Sequence, residues 1–179
     1  MCGTIHRLDP PVSGVVLFAK TGKALERMNE LFRSRQVQKT YWAVVKNKPA
    51  KEEDTLVHYL MKNEIKNKSF ASLQTKDGAT RCELSYRLLT SSDHYHLLEV
   101  NPITGRHHQI RVQLSAIGCP IKGDLKYGAD RSNADGSIHL HARKLTFVHP
   151  VKSEPVCIEA KPPEEPLWNY FVQQLTNTK

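Results

Sequence analysis

The stretch HRLDPPVSGVVLFAKT, residues 6–21, joins three ionisable side chains to an apolar run through two prolines. The run SGVVLFAK within it has apolar residues on both of its alternating faces, which predicts a strand that is covered on both sides. Asp9 precedes Pro10 and Pro11, so we expect it on a tight turn at the edge of a sheet. A turn aspartate is the ordinary interpretation of such a residue, and a catalytic carboxylate is the alternative.

The rest of the chain mixes helical and strand periodicities without a regular βαβ repeat, which predicts an α+β fold. Helices are predicted in TGKALERMNELFRSRQ (21–36, capped by Thr21), TGRHHQIRVQLSAIG (104–118, capped by Thr104 and ended by Gly118) and EPLWNYFVQQL (165–175). Strands are predicted in KTYWAVVKN (39–47), RCELSYRLL (81–89), HYHLLEVNP (94–102), GSIHLHARKLTFVHP (136–150) and EPVCIEAKPP (154–163). Residues 50–80 are polar and weakly periodic, which is typical of a hairpin excursion or a long loop.

The chain is basic, with a formal net charge of +8 over 179 residues, and its length suits one globular domain. The positive surplus favours a polyanionic partner such as a nucleic acid, and a basic surface that only keeps the protein soluble is the alternative. No apolar run is long enough to span a membrane and no leader precedes the first motif, which predicts a cytoplasmic protein. Because no two cysteines share a CxxC spacing, we expect free, mostly buried thiols and no zinc site at Cys2, Cys82, Cys119 and Cys157.

Asp9 and Arg111 each have an ordinary interpretation and a chemical one. Arg111 borders the apolar stripe of its predicted helix, so its guanidinium either reaches water or pairs with a carboxylate or phosphate. No second acidic residue lies near Asp9 in the sequence, so a two-carboxylate glycosidase site or a two-metal nuclease site has little support. If Asp9 is catalytic, it acts as a lone carboxylate that a cation orients.

Aromatic and imidazole side chains leave two interpretations open. Tyr41 and Trp42 follow a basic segment, and they either stack on a base of a nucleic acid or pack within a strand. His139 and His141 share one face of a predicted strand, and no third ligand accompanies them. This pattern favours a structural or RNA-facing role over metal binding.

Four stretches resemble, in order and spacing, the motifs of the RluA-type pseudouridine synthases. HRLDPPVSGVVLFAKT is similar to the family's catalytic loop with its following strand, and QKTYWAVV (38–45) to its tyrosine strand. NPITGRHHQIRVQLSAIGCPIKGDLKYG (101–128) is similar to its arginine helix and the Gly-Asp…Tyr-Gly turn, and LHARKLTFVHP (140–150) to a late strand. A collinear match of this length is far more specific than a single short motif.

The resemblance implies a mixed, mainly antiparallel central sheet flanked by a few helices, and an enzyme that isomerises uridine to pseudouridine in RNA without cofactor or metal. It implies that Asp9 is the catalytic carboxylate, that Tyr41 stacks on the target base, and that Arg111 pairs with Asp9. The target base must leave its helix to be reached, and the resemblance implies that Arg7 helps to displace it. RNA binding or base flipping is implied for His6, Arg7, Arg106, His108 and Gln109.

Members of the family carry a segment with an NKPxG-like strand ahead of HRLD, and many carry a small RNA-binding domain, whereas here MCGTI alone precedes it. We therefore expect residues 1–179 to form one catalytic domain that lacks its N-terminal part, with a hydrophobic sheet edge left open. Two functions follow. One is a pseudouridine synthase acting on rRNA or tRNA, and the other is a non-catalytic RNA-binding remnant of such an enzyme.

Overall fold

The structure of the protein is a computed structural model that describes residues 3–177. Its elements in chain order are β1 (Gly3–Thr4), β2 (Ser13–Gly14), β3 (Phe18–Ala19), α1 (Gly22–Arg33), β4 (Gln38–Val45), β5 (Glu53–Asn63), β6 (Lys68–Ser72), β7 (Thr80–Ser91), β8 (His96–Pro102), α2 (Gln109–Ala116), β9 (Leu140–Val148), β10 (Pro155–Glu159) and α3 (Pro166–Asn177), with a 3₁₀ turn over Leu125–Tyr127 between α2 and β9.

One large sheet organises the described chain. Its strand order is β10-β9-β4-β8-β7-β5-β6, with antiparallel neighbours throughout, and β2 pairs in parallel with β9. β1 and β3 form a separate two-stranded ribbon. The sheet is therefore mixed and mainly antiparallel, and the α+β prediction is confirmed.

Alternation along the central strands gives the sheet two apolar faces, each covered by a helix. On β4, Ala43 and Val45 pack with Ile110 and Leu114 of α2. Val44, between them, packs instead with Trp168 and Phe171 of α3. The central strands are therefore covered by a helix on each face of the sheet.

Residues 13–20 do not form the single strand that their pattern predicts. Only β2 and β3 are strands, and the backbone between them leaves the sheet. Gly14 has a φ of +123°, and a Cβ at this position would lie 2.3 Å from the Ala142 carbonyl oxygen. Phe18 is 60% exposed, so the prediction that both faces are covered is wrong.

The helix limits confirm one predicted cap and correct another. Thr21 caps α1, accepting a hydrogen bond from the Ala24 amide at 3.2 Å. Thr104 does not cap α2, because the helix begins at Gln109 with His108 at the N-cap, and the Thr104 hydroxyl donates to Gln109 Oε1 instead. Gly118 follows the end of α2 with a φ of +77°, as a glycine after a helix end is expected to do.

The structure also answers the expectations for residues 50–80, for the cysteines and for membrane-spanning helices. β5 and β6 pair as a hairpin, which decides between the two alternatives for residues 50–80. Cys82 and Cys119 are buried free thiols, Cys157 is an exposed one, and Cys2 lies outside the described residues. Within residues 3–177, none of the helices has the length and hydropathy needed to cross a membrane.

Candidate active site

Asp9 stands on a tight turn that is tied to the sheet. The Val12 amide donates to the Asp9 carbonyl at 2.9 Å, which closes the turn around the two prolines. The Ile138 amide donates to the Pro11 carbonyl at 2.9 Å, and Ser13 Oγ lies 2.8 Å from His141 Nδ1. The turn predicted from the sequence is confirmed, and bonds to the β9 region hold its C-terminal side at Pro11 and Ser13.

Arg111 is a buried guanidinium that binds two carboxylates. Its Nε and Nη2 donate to the two oxygens of Asp124 at 2.7 and 2.9 Å, and its Nη1 donates to Asp9 Oδ2 at 3.2 Å. Burial lowers the pKa of Arg111, but the hydrogen bonds that Arg111 donates to Asp124 and Asp9, with the negative charges of both, outweigh it, so the pKa is raised overall. The bidentate contact fixes the guanidinium plane, which leaves Nη1 to fix Asp9.

His108 approaches the same oxygen of the Asp9 carboxylate as Arg111 does. Its Nε2 is 3.6 Å from Asp9 Oδ2, and its Nδ1 is 2.9 Å from the Tyr127 hydroxyl. That hydroxyl accepts the Ser69 amide at 2.8 Å, which leaves its proton to donate to Nδ1 of His108. Burial and the positive charge of Arg111 lower the pKa of His108 to about 4. His108 is therefore a neutral imidazole at pH 7, with its Nε2 proton directed at Asp9.

Tyr41, on strand β4 of the central sheet, lies near Asp9, His108 and Arg111. The register of β4 against β9 shifts between Thr40 and Tyr41, and such a bulge redirects the following side chain. Burial and the charge of Asp9 raise the pKa of Tyr41 to about 12. Trp42 packs on the opposite side with the α3 cluster, under the Arg143 guanidinium, so strand packing accounts for it.

These side chains line one pocket with a volume of about 280 Å³. All eight residues singled out in the sequence line it, namely His6, Arg7, Asp9, Tyr41, Arg106, His108, Gln109 and Arg111. Arg7 and Arg106 are exposed at its mouth, while the other six are buried or half-buried. The volume lies at the lower end of the range for small-ligand pockets, about 300 Å³, and suits a single nucleobase.

Gln109 holds the loop that carries Arg106. Its Oε1 accepts from the Thr104 hydroxyl at 2.8 Å and from the Arg106 amide at 3.0 Å, and its Nε2 donates to the Glu83 carbonyl at 3.0 Å. The polar atoms of its side chain are thus occupied within the protein. Its contact with RNA stays a prediction.

Sequence reasoning missed Asp124, Tyr127 and Lys39. Asp124 is the main partner of Arg111, and Tyr127 places its ring 5.1 Å from the Arg111 guanidinium carbon. The GDLKYG segment carried a usable signal, since a buried arginine needs a carboxylate and this is the nearest one after its helix. Lys39 lines the pocket two residues before Tyr41, and burial lowers its pKa.

The other histidines support the scaffold. His139 stacks on Trp168 at 5.2 Å between ring centres, and His141 bonds Ser13 and the Ala160 carbonyl. Both are buried, which favours the structural interpretation of this pair. Across residues 3–177 the structure has no cluster of three or more His, Cys, Asp or Glu side chains that could hold a metal ion.

Comparison with known protein families identifies the family of this chain. The sequence model of a family described as RNA pseudouridylate synthase matches residues 1–116. The chain belongs to this family. The matched segment includes the Asp9 turn, the Tyr41 strand and Arg111.

Two relatives show how much of a pseudouridine synthase the chain represents. It is 33% identical to "tRNA pseudouridine synthase C" of Pectobacterium carotovorum subsp. carotovorum over 88% of this chain and 46% of the relative. It is also 33% identical to "Ribosomal large subunit pseudouridine synthase C" of Vibrio cholerae serotype O1 over 98% of this chain and 55% of the relative. The chain thus spans about half the length of these relatives.

Solved pseudouridylate synthase structures share the fold. The structure titled "Human RNA Pseudouridylate Synthase Domain Containing 4" superposes with a TM-score of 0.77 at 27% identity, covering 98% of this chain and 76% of that one. "Human RNA Pseudouridylate Synthase Domain Containing 1" gives the same TM-score at 24% identity, with coverage of 98% and 80%. The α+β architecture is therefore that of pseudouridylate synthase domains.

Proposed function

We propose that this chain isomerises specific uridines to pseudouridine in structured RNA, either rRNA or tRNA, with Asp9 as the catalytic carboxylate. The observation that carries the proposal is the Asp9–Arg111 contact of 3.2 Å beside Tyr41, inside a pocket of nucleobase size. The proposal treats residues 1–179 as one catalytic unit working in the cytoplasm. It needs no cofactor, because the reaction only rearranges bonds within one nucleotide.

The chemistry requires a single well-placed carboxylate. The bond between N1 of the base and C1′ of the ribose breaks, a bond between C5 and C1′ forms, C5 loses its proton and N1 gains one. A carboxylate assists by covalent attack or by stabilising the cationic sugar, and the base stays in the pocket throughout. Asp9 takes this role because Arg111 and His108 aim its Oδ2 from two sides.

The other side chains hold and exchange the base. The Tyr41 ring stacks on the uracil, and its hydroxyl, protonated at neutral pH, hydrogen-bonds the base or assists the C5 proton transfer. Arg7 and Arg106, exposed at the mouth, bind the displaced strand, and Arg7 fills the space that the flipped nucleotide leaves. His6 stacks on Phe32 at 5.0 Å and forms part of the wall beside the base.

Asp9→Asn tests the proposal. RNA carrying tritium at uridine C5 releases tritium only when the C5–H bond breaks, so the wild-type chain is expected to release it and Asp9→Asn to stop the release while RNA binding persists. In cells that carry only the Asp9→Asn chain, carbodiimide mapping of pseudouridine is expected to lose one or a few sites. The matched control is Asp93→Asn in the exposed turn between β7 and β8.

Each outcome has a definite meaning. Unchanged pseudouridine sites with Asp9→Asn would refute the role of Asp9. RNA binding by the wild-type chain, without tritium release from any RNA of the parent cell, would support the alternative of a non-catalytic RNA-binding remnant.

A further inference from the structure

A second cavity lies directly beside the pocket. It is a groove of about 740 Å³ between the C-terminal end of α1 and the loop that joins β8 to α2. The pocket and the groove share several lining residues, including Lys39, Gly105 and Arg106. The pocket and the groove are therefore immediate neighbours, with these residues between them.

The groove is strongly cationic. Arg33, Arg35, Lys39 and Arg106 line it, and the described residues contribute no carboxylate to its lining. Arg33 forms an ion pair with Glu30 on α1. Within residues 3–177 the side chains of Arg35, Lys39 and Arg106 have no anionic partner. Three cations therefore face this cavity without a counterion from the protein.

Burial disfavours the positive charge of Lys39. Its side chain is half-buried and burial lowers its pKa, so the protein partly desolvates a cation that it does not neutralise. A Cβ on Gly105 would lie 3.2 Å from Lys39 Nζ, so the backbone at Gly105 closely approaches the ammonium group. An anion from outside the protein would satisfy Lys39.

Arg35 occupies a position that favours glycine. It follows the C-cap of α1 with a φ of +59°, its amide donates to the Phe32 carbonyl, and the Gln36 amide donates to the Leu31 carbonyl. This is the Schellman ending, in which glycine adopts the left-handed conformation most easily. An arginine stands there in spite of the backbone strain, and it lines the groove.

We propose that this groove binds the backbone of a single RNA strand adjacent to the nucleotide in the pocket, with Arg35, Lys39 and Arg106 contacting its phosphates. The inference rests on the proposed function, because the nucleotide in the pocket must be continuous with a strand. Exposed Ile103 in the groove wall offers an apolar surface to one of the bases. An acidic protein segment could also bind these cations, but it would not need to continue into a pocket of nucleobase size, whereas an RNA strand would.

The larger cavity on the other side of the Asp9 turn is a weaker candidate. Its volume is about 980 Å³, but Asp135 and Glu165 line it along with its lysines. Those lysines already have partners, because Lys122 donates to Asn133 at 2.8 Å and Lys126 to the Asn67 carbonyl at 3.1 Å. The groove beside α1 is the stronger candidate because the described residues that line it include cations and no carboxylate.

The test measures RNA binding without turnover. In the full chain carrying Asp9→Asn, the probe is a labelled single-stranded RNA of about ten nucleotides, and affinity is measured against salt concentration. The variant Arg35→Gln, Lys39→Met, Arg106→Gln is expected to lower the slope of log affinity against log salt by about 2, since each phosphate contact to a single strand contributes about 0.7. The matched control Arg27→Gln, Lys76→Met, Lys152→Met removes the same charge from exposed positions outside the groove.

Arg35→Gly separates binding from folding. Glycine relieves the left-handed strain, so the Tm is expected to stay equal or rise, while the salt slope falls by about 0.7. Arg35→Gly with unchanged RNA affinity, or equal slope losses in the groove and control triple variants, would overturn the proposal. Displacement of the RNA by polyglutamate at equal charge concentration would also overturn it in favour of an unspecific anion site. Because these readouts do not need isomerisation, they remain decisive even if the wild-type chain forms no pseudouridine.

Discussion

Asp9 and Arg111 lie 102 residues apart in the chain, and their side chains meet at 3.2 Å. The contact is asymmetric, because the same guanidinium binds Asp124 at 2.7 and 2.9 Å. Asp124 is almost fully buried, whereas Asp9 is half-buried at the pocket. The buried carboxylate therefore anchors Arg111, and Arg111 in turn orients the accessible one.

Asp124→Asn is expected to destabilise the protein and misplace Asp9. The substitution leaves the buried Arg111 guanidinium with Asp9 as its one carboxylate partner among the described residues, and loss of a buried ionic partner costs up to about 3–5 kcal/mol of unfolding free energy. Since a small misplacement of a reacting group costs about 100-fold in rate, turnover per folded molecule is expected to fall by that order. Urea unfolding and tritium release at saturating RNA measure the two effects.

The control for that prediction is Asp130→Asn. Asp130 forms an ion pair with Lys46, and both side chains are exposed, so its loss is expected to leave stability and turnover within error. An Asp124→Asn chain as stable and active as Asp130→Asn would contradict the anchoring role of Asp124.

Tyr41 is expected to act as a protonated phenol. Because its pKa is raised to about 12, it keeps its proton between about pH 6 and 10, and its ionisation adds no limb to the pH–rate profile there. Tyr41→Phe keeps the ring and is expected to preserve RNA affinity and the shape of the profile, with any loss confined to kcat. A basic limb that is present in the wild-type chain and disappears in Tyr41→Phe would show that the phenolate is the active form.

The sheet was predictable where the local pattern agreed with the final environment. β7 alternates cleanly, and its apolar residues Cys82, Leu84 and Tyr86 are buried in the structure. The break after β2 was not predictable, because it depends on the close approach of Gly14 to Ala142, which is distant in the sequence. The start of α2 was also predicted wrongly. Thr104 has the residue type of an N-cap, but its hydroxyl donates to the Gln109 side chain, a contact that the local sequence does not indicate.

The residues of the candidate site were predictable mainly through the family resemblance. From the residues alone, Asp9 was a turn aspartate with an open alternative, and Arg111 had an unidentified partner. Their contact joins segments that only the folded sheet brings together, and no local periodicity encodes it. Lys39 and Arg35 were not predicted to bind a ligand, because a lysine on a strand and an arginine on the polar face of a helix are ordinary until their surroundings are known.

His108 is expected to make the stability of the protein fall in mild acid. Its pKa is about 4 in the folded protein and 6.5 when unperturbed, so the unfolded chain binds more protons between these values. The stabilisation from neutral His108 is therefore complete above about pH 6.5 and is lost as the pH falls towards 4, with a total of at most about 3 kcal/mol. Urea unfolding across this range measures the slope, which His108→Gln is expected to reduce.

Exposed His94 provides the control for the acid prediction. His94→Gln removes an exposed imidazole outside the candidate site, and its unfolding is measured beside that of His108→Gln. The other shifted histidines, including His139 and His141, also have pKa values lowered mainly by burial, so a residual slope of the same sign remains in His108→Gln. An unchanged slope in His108→Gln would contradict the assignment of a neutral, buried imidazole beside Asp9.

Gly14→Ala is expected to disrupt the segment that carries Asp9. A methyl group at Gly14 would collide with the Ala142 backbone at 2.3 Å and would sit on a residue with a φ of +123°. Overpacking and backbone strain together predict a loss of about 2–5 kcal/mol in unfolding free energy, and the folded fraction is expected to lose turnover because the turn shifts.

Gly22→Ala is the matched control, since a Cβ there meets no atom within 4 Å and alanine favours the helix that begins at this residue. Thermal unfolding and tritium release below the melting range separate the two effects. A wild-type Tm for Gly14→Ala would show that the pairing of Gly14 with Ala142 does not fix the turn.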